Sequence, residues 1–228
     1  VLLANRAQHA GGAHKSRLVN CLIIDNDATY FGGVYIGELY NCTVSGNASA
    51  FAGGIGTATS FNSVVYHNFA PSYANHYEST FSYSCTVPLP KGPGNIDADP
   101  LMASLARLSV DSPCIGAGNM SYATGKDIDG EAWKEPPAIG CDEVYAEALT
   151  GTVSVAVQAL YTNVAIGFAV TFEADIDGLL SCSAWNFDDG VIVSNRPVVE
   201  HAFSSVGNYA VVLTAFNETY SHGLSATV

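Results

Sequence analysis

Three side chains near the start of the sequence are of types that perform acid–base chemistry. Asp25 and Asp27 stand two residues apart, and Arg6 lies 21 residues before Asp27. Carboxylates can hold Ca²⁺ while a basic residue abstracts a proton, or two carboxylates can act as general acid and base across a cleft. Arg6, Asp25 and Asp27 are therefore the candidate catalytic residues.

Two further aspartate pairs have the spacing of part of a calcium loop. They are Asp127 with Asp129 and Asp175 with Asp177. Neither pair completes the ligand pattern of an EF-hand, so Ca²⁺ is only a weak candidate and no other cofactor is indicated. The sequence also lacks a nucleophile elbow, a phosphate-binding loop and an HExxH zinc motif.

The candidate catalytic residues lie within a 21-residue repeat, which occupies about the first 70 residues and would position them. The repeated positions are Asn5, Asn26, Asn47 and Asn68; Asn20, Asn41 and Asn62; Gly11-Gly12, Gly32-Gly33 and Gly53-Gly54; Cys21, Cys42 and Ser63; and Ala7, Ala28, Ser49 and Ala70. A helical repeat usually takes roughly 33 residues or more, and a leucine-rich repeat needs a leucine ladder. The spacing instead predicts the last coils of a right-handed parallel β-helix, which fade near Tyr83.

Within each repeat the apolar residues have the period of two that is typical of strands. Two columns carry it: Leu2, Ile23, Val44 and Val65, and Val19, Tyr40 and Phe61. We therefore expect strands near 19–23, 40–44 and 61–65 that face a narrow core. We expect the glycine pairs at a turn that needs positive φ or a close approach of the backbone.

Stacking of the coils explains most of the regular polar residues without a ligand. Asparagines one coil apart would lie about 4.8 Å from each other and form a ladder, each amide donating to the next carbonyl. The positions equivalent to Asp25 and Asp27 in the other coils are not carboxylates, so a solvated turn explains this pair better than a site does. Arg6 and Asp27 are equally consistent with a surface ion pair. Four histidines could line a groove or occupy exposed turns: His9, His14, His67 and His76.

The six cysteines do not form a metal-binding pattern. They are Cys21, Cys42, Cys85, Cys114, Cys141 and Cys182, and no two have the C-x-x-C spacing of a zinc site. Cys21 and Cys42, one coil apart, could reach a disulfide, although we favour free thiols. The even number allows other disulfides without requiring them.

A segment rich in glycine, proline and aspartate follows the repeat. Its motifs are Gly94-Asn95-Ile96, Asp99-Pro100-Leu101, Ser112-Pro113-Cys114-Ile115-Gly116-Ala117-Gly118, Asp127-Ile128-Asp129-Gly130 and Ala138-Ile139-Gly140-Cys141-Asp142-Glu143. Their order resembles the C-terminal region of bacterial parallel β-helix proteins of the pectin-lyase-like superfamily, in particular the choice-of-anchor Q type. Gly116, Ala138 and Cys141 depart from that pattern. The resemblance implies a secreted or surface-anchored bacterial protein with residues 1–147 as coils and cap, and by itself it implies no catalysis.

The residue pattern of the sequence changes after Glu147. Short alternating stretches lead to Trp185-Asn186-Phe187-Asp188-Asp189-Gly190, then to His201-Ala202-Phe203 and Gly207-Asn208-Tyr209. Short strands at this spacing predict a β-sandwich, with Trp185 and Phe187 buried on one face and a hairpin at Asp188-Asp189-Gly190. The motifs resemble those of a PKD domain, with Asn186 and Asp188 as departures. The resemblance implies an Ig-like sandwich at 148–228 that acts as a spacer or binds proteins or polysaccharides outside the cell.

The composition limits the classes of molecule that the chain could bind. The net charge of −13 disfavours nucleic acids and, unless a basic patch or cations intervene, anionic polysaccharides. No apolar run approaches the roughly 18 residues that span a bilayer. The chain opens without a signal sequence, as a segment from inside a longer protein would.

Two functions remain open for this all-β chain. The first, which these motifs favour over an enzyme, is a non-catalytic module. It would serve adhesion or bind a polysaccharide or a surface protein, at the bacterial surface or elsewhere outside the cell. The second is a polysaccharide lyase or glycoside hydrolase of the pectin-lyase-like superfamily, acting through the groove beside Asp25 and Asp27. We expect a monomer in either case.

Overall fold

A computed structural model describes residues 1–228. The chain is all β apart from one 3-10 turn at Ala146–Ala148. It divides into two compact units: the first contains Val1–Pro100 and Ser112–Val144, and the second contains Leu101–Asp111 and Tyr145–Val228. None of the helical segments has the length and apolar character required to cross a bilayer.

The first unit is built on a parallel β-solenoid of about four turns. Its strands are β1 (Leu2–Leu3), β2 (Arg6–Ala7), β3 (Ala13–Val19), β4 (Leu22–Ile24), β5 (Asp27–Ala28), β6 (Val34–Tyr40), β7 (Thr43–Ser45), β8 (Ala48–Ser49), β9 (Ile55–Gly56), β10 (Thr59–Phe61), β11 (Val64–Val65), β12 (His76–Tyr77), β13 (Thr80–Ser82) and β14 (Cys85–Thr86). They form three parallel sheets, ordered β1-β4-β7-β11-β14, β12-β9-β6-β10-β13 with β3 also on β6, and β2-β5-β8. The register joins each residue to the one 21 positions on, as in Leu22 with Thr43 and Thr43 with Val64. The predicted coil length is confirmed.

The left-handed backbone conformation recurs at three positions in each coil. The three columns are Ala4, Asp25, Gly46 and His67; Lys15, Ile36, Thr57 and Glu78; and Asn20, Asn41, Asn62 and Tyr83. The first and third columns separate neighbouring sheets, whereas Lys15 and Ile36 lie within β3 and β6. Most of these residues are not glycine, although positive φ costs an ordinary residue free energy. The inter-coil hydrogen bonds and the packing on both sides of each position must therefore hold this conformation in place.

One corner overturns part of the predicted strand pattern. The segments 19–23, 40–44 and 61–65 are not single strands, because the asparagine at 20, 41 or 62 separates two sheets. A left-handed residue rotates the chain direction, so the alternation of inward and outward side chains does not continue through it. Leu39 and Phe81 face the core, whereas Tyr40 and Phe61 are half-buried and stack on each other outside it. The other predicted core column, with Ile23, Val44 and Val65, is confirmed.

Glycine is required at the paired positions because a Cβ atom would not fit there, and not because the backbone has positive φ. None of Gly11-Gly12, Gly32-Gly33 or Gly53-Gly54 has positive φ. A Cβ atom on Gly33 would lie 2.5 Å from the carbonyl oxygen of Gly54 in the next coil and 2.9 Å from a methyl group of Val44. Close approach of the backbone is therefore the reason for these glycines, and a need for positive φ is not.

The asparagine ladder is formed as predicted and is buried. The Asn26 side-chain amide donates to Asn47 Oδ1 at 2.8 Å, and the Asn47 amide donates to Asn68 Oδ1 at 2.9 Å. Each amide also donates to carbonyl groups of its own and the preceding coil, and each Oδ1 accepts a backbone N–H. The ladder therefore satisfies the polar backbone groups at this corner.

A cap segment, 112–144, completes the first unit. Asn62 accepts from the Asn119 backbone N–H and donates to its carbonyl, and Asn20 donates to the carbonyl groups of Thr124 and Lys126. The Cys141 N–H donates to Thr43 Oγ1. Two members of the second asparagine column, Asn20 and Asn62, thus hold the cap with their side chains.

The second unit is a β-sandwich of two antiparallel sheets. Its strands are β15 (Ser154–Ala159), β16 (Val170–Asp177), β17 (Cys182–Asn186), β18 (Ile192–Ser194), β19 (Val198–His201), β20 (Val212–Phe216) and β21 (Leu224–Thr227), ordered β15-β16-β19 and β18-β17-β20-β21. Trp185 and Phe187 are fully buried between the sheets, as predicted. The predicted hairpin joins β17 to β18, with Asn186 paired to Ile192.

Candidate functional site

The predicted catalytic residues lie at exposed positions of one corner region. Arg6 and Asp27 are neighbours in the register of β2 and β5, and Asp25 holds the left-handed position before them. All three are exposed. Asp27 borders a shallow surface cavity of about 540 Å³, whose other lining residues are apolar or neutral and include Phe69 and Pro71. This cavity presents one carboxylate and no opposing acid or base.

The predicted calcium ligands are dispersed. The buried Asp127 carboxylate accepts the backbone N–H groups of Asp129, Glu131 and Glu143, so it organises its own loop. Asp175 and Asp177 are exposed on β16, opposite Ala156 and Ser154. The structure brings no three His, Cys, Asp or Glu side chains into a group that could hold a metal ion.

Two of the predicted histidines belong to aromatic stacks that run between coils. The His9 ring stacks on Tyr30 at 5.1 Å, and the His14 ring stacks on Tyr35 at 5.3 Å. The Tyr35 ring also stacks on Phe31, at 4.1 Å. These stacks join rings of neighbouring coils, and each covers one face of its histidine. His76 instead contacts the Pro88 carbonyl oxygen at 2.9 Å.

A cleft in the second unit has the properties of a binding site. It lies between segments 159–166 and 203–211 and has a volume of about 610 Å³; we call it the loop cleft. Its wall combines four aromatic residues, Tyr161, Phe172, Phe203 and Tyr209, with several aliphatic residues. The hydroxyl and amide side chains in the wall are Thr162, Asn163, Ser205 and Asn208. No charged side chain lines it, although the chain as a whole carries a net charge of −13.

The aromatic wall of the loop cleft is fixed on one side and open on the other. The Tyr209 hydroxyl donates to the Ser205 carbonyl at 3.0 Å. The Tyr209 ring stacks on Phe203 at 4.1 Å. Tyr161, just beyond β15, is 52% exposed, and Phe168 meets it in an edge-to-face contact. Tyr161 therefore has an aromatic surface available to a ligand.

A hydrogen-bonded pair of side chains, His201 and Asp189, lies behind this wall. His201 Nε2 lies 2.7 Å from Asp189 Oδ2, and the two side chains are only 12% and 19% exposed. Burial tends to raise the pKa of Asp189, but the hydrogen bonds from His201 and from the Val191 N–H outweigh it, so the pKa is lowered below its ordinary value. The His201 ring stacks on Phe187 and meets Phe203 edge-on. The pair thus fixes the β17–β18 hairpin to β19 of the opposite sheet.

Sequence reasoning did not identify the loop cleft. Its signal was present in large apolar residues placed in loops, where polar residues are usual. Ile166 and Val206, which line the cleft, are 57% and 87% exposed. Without coordinates, these residues could not be distinguished from ends of strands that continue the core.

Comparison with known proteins identifies part of the chain. Neither a curated protein nor a solved structure matches it with significance. The resemblance of the first unit to pectin-lyase-like proteins of the choice-of-anchor Q type therefore stays a prediction. One family model matches residues 152–227. These residues form a PKD domain, a type of domain that is typically extracellular.

Proposed function

We propose that this chain is a non-catalytic, extracellular or cell-surface binding module of a larger secreted bacterial protein, and that it binds a neutral polysaccharide in the loop cleft. The solenoid in this proposal is a C-terminal region of the pectin-lyase-like, choice-of-anchor Q type. It serves as a rigid support, and the PKD domain carries the ligand. The observation on which the proposal rests is the chemistry of the cleft wall.

Aromatic rings, amides and hydroxyls without charge suit a neutral sugar. The C–H face of a sugar ring packs on an exposed aromatic surface, and its hydroxyl groups exchange hydrogen bonds with amide and hydroxyl side chains. Tyr161 supplies the exposed ring, and Asn163 and Asn208 supply amides. A volume of about 610 Å³ falls within the range of ligand sites.

The overall charge of the chain supports the same ligand class. With 21 acidic and 8 Lys and Arg residues, the surface repels uronic acid polymers. A neutral glycan meets no such repulsion. The loop cleft, which lacks charged side chains, also has no cation to recognise a carboxylate.

Binding of the full chain to immobilised neutral polysaccharides, such as xylan, mannan and β-glucans, tests the proposal. Tyr161→Ala should weaken binding about tenfold, as loss of a central aromatic contact does. Tyr30→Ala is the matched control, because Tyr30 is 44% exposed but lies in the solenoid. Equal affinity of wild type and Tyr161→Ala, or no binding to any neutral glycan, would exclude the loop cleft as a glycan site.

The same incubations test the enzymatic alternative, a polysaccharide lyase or glycoside hydrolase acting through Arg6, Asp25 and Asp27. Unsaturated or reducing ends would be measured with and without Ca²⁺. Under our proposal, none accumulate above the blank. Product formation that disappears in Asp25→Ala would overturn the non-catalytic assignment.

A further inference from the structure

A side chain extends the pairing of β17 with β20 beyond the point where the backbone ladder ends. The two strands are antiparallel, with Asn186 opposite Val212. The same register would place Asp188 opposite Ala210, but the backbone of Asp188 has the left-handed conformation, with φ of 61°. Asp188 Oδ2 accepts the Ala210 N–H at 3.1 Å. A carboxylate therefore takes the place of a backbone acceptor at this position.

Asp188 is itself held by the hairpin between β17 and β18. Its N–H donates to Asn186 Oδ1 at 3.0 Å, and the Phe187 N–H donates to the Val191 carbonyl at 3.1 Å. The Val191 N–H in turn donates to Asp189 Oδ1 at 3.1 Å. Because these bonds close the hairpin, the Asp188 carboxylate projects from a fixed backbone.

The peptide group that Asp188 holds belongs to the second wall of the loop cleft, segment 203–211. The Ala210 N–H lies in the peptide bond that follows Tyr209, and Tyr209 and Val211 both line the cleft. The Tyr209 hydroxyl donates to the Ser205 carbonyl. Tyr209 is thus fixed at its hydroxyl through Ser205 and at its backbone through Asp188.

We propose that Asp188 is a positioning residue of the loop cleft, which fixes the Tyr209 wall before a glycan binds. Asp188 does not line the cleft, so it acts through the Tyr209–Ala210 peptide. Residues 204–208 of this wall are exposed, and a segment of this kind loses conformational freedom when a ligand orders it. The hydrogen bond from Ala210 removes part of that cost in advance. The role in glycan binding rests on the proposed function.

Two substitutions separate the hydrogen bond from the backbone conformation. Asp188→Gly removes the acceptor, and glycine adopts positive φ without a steric penalty. Asp188→Asn keeps a side-chain oxygen as acceptor, and asparagine also tolerates the left-handed conformation. Both variants lose one negative charge, so charge does not account for any difference between them.

The affinity of the full chain for immobilised xylan, mannan and β-glucans is measured for the wild type and the two variants. Asp188→Gly should weaken binding about three- to fivefold, whereas Asp188→Asn should stay within about 1.5-fold of the wild type. The melting temperature of Asp188→Gly should stay within about 3 °C of the wild type, because relief of the backbone offsets one lost hydrogen bond. Unchanged affinity of Asp188→Gly, or an equal loss in both variants, would overturn the positioning role.

Hydrogen exchange of the Ala210 amide, followed by NMR in the full chain without glycan, tests the contact itself. The amide should exchange about tenfold faster in Asp188→Gly and at nearly the wild-type rate in Asp188→Asn. An unchanged rate in Asp188→Gly would overturn the proposal whatever the wild type binds. Faster exchange in Asp188→Gly, together with no glycan binding by the wild type, would exclude the glycan site and support Asp188 as the residue that positions the wall.

Discussion

At the scale of single residues, the buried asparagine ladder makes the strongest demand on amino-acid identity. Asn47 has no exposed surface, and its amide group makes five hydrogen-bond contacts that involve three coils: Oδ1 accepts two, and the two N–H hydrogens share three acceptors. An asparagine is suited to this because one side chain offers two donors and two acceptor lone pairs. The repeat could be predicted from sequence for this reason, since any other residue would leave backbone groups of two coils unpaired.

We expect Asn47→Ala to destabilise the solenoid unit by about 3 kcal/mol, because it leaves buried carbonyl and N–H groups without partners. Urea unfolding monitored by circular dichroism measures the loss. Gln8→Ala, which truncates an exposed amide in the first coil, is the control and should change stability by less than about 0.5 kcal/mol. Similar losses in the two variants would contradict the energetic role of the ladder.

The Asp189–His201 pair predicts a pH dependence of the PKD domain. The pKa of Asp189 is lowered in the folded state, so its ionised form favours folding. This contribution is complete above the ordinary aspartate pKa of 3.8 and is lost as the pH falls through the lower folded value. The difference in unfolding free energy between wild type and Asp189→Asn should therefore shrink as the pH is lowered from 6 to about 3.

Chemical denaturation at a series of pH values, followed by Trp185 fluorescence, measures this difference. Asp175→Asn, an exposed change on β16 of the same unit, corrects for the general effect of removing one negative charge. A difference between wild type and Asp189→Asn that is constant across the series would rule out a stabilising role for the pair.

At the scale of elements, the glycine pairs show why sequence reasoning identified a turn but could not give its cause. Glycine is required both where φ is positive and where another backbone comes close, and the sequence pattern is the same in the two cases. Only the stacking distance of the coils shows that Gly33 is a close-approach position. The core column with Tyr40 was predicted wrongly because Asn41 was taken as part of a strand, although asparagine is one of the few residues that tolerate the left-handed conformation it has here.

These two causes can be separated by experiment. Gly33→Ala should cost about 3 kcal/mol, because the added methyl group meets the fixed Gly54 carbonyl and the core residue Val44. Gly130→Ala should cost about 1 kcal/mol, since Gly130 has φ of +87° but nothing within 4 Å of an added Cβ. Urea unfolding of the two variants gives both values. If Gly130→Ala lost more stability than Gly33→Ala, the explanation of Gly33 by close approach of the backbone would be contradicted.

At the scale of the whole molecule, the net charge predicts how binding responds to salt. Affinity for a neutral glycan should be nearly the same at about 20 mM and about 300 mM NaCl, because no ion pair forms. Any residual binding of an anionic polymer such as polygalacturonate should strengthen with salt, since screening reduces repulsion by the acidic surface. Titration calorimetry at the two salt concentrations measures both. Tighter anionic binding at low salt would point to a cationic patch that the loop cleft does not contain.

The sequence predicted the PKD domain but not the candidate binding site that the domain carries. The PKD motifs were recognisable because Trp185 and Phe187 have fixed places in a sandwich core and Tyr209 anchors its hydroxyl on the adjoining loop. The loop cleft was not, because two loops more than 35 residues apart in sequence form its wall. Asp25 and Asp27 attracted attention by residue type alone, and the structure places no second acid across from them.

The path of the chain between its two compact units has a consequence for where the second unit can be cut from the chain. This unit takes one part of its residues from Leu101–Asp111 and the rest from Tyr145–Val228, and Ala103 belongs to its hydrophobic core. A gene fragment that begins after residue 144 would therefore encode an incomplete unit, because it lacks Leu101–Asp111. Residues 152–227 are recognisable as a PKD sequence, but a transplant of these residues alone would leave out part of the core that this unit has here.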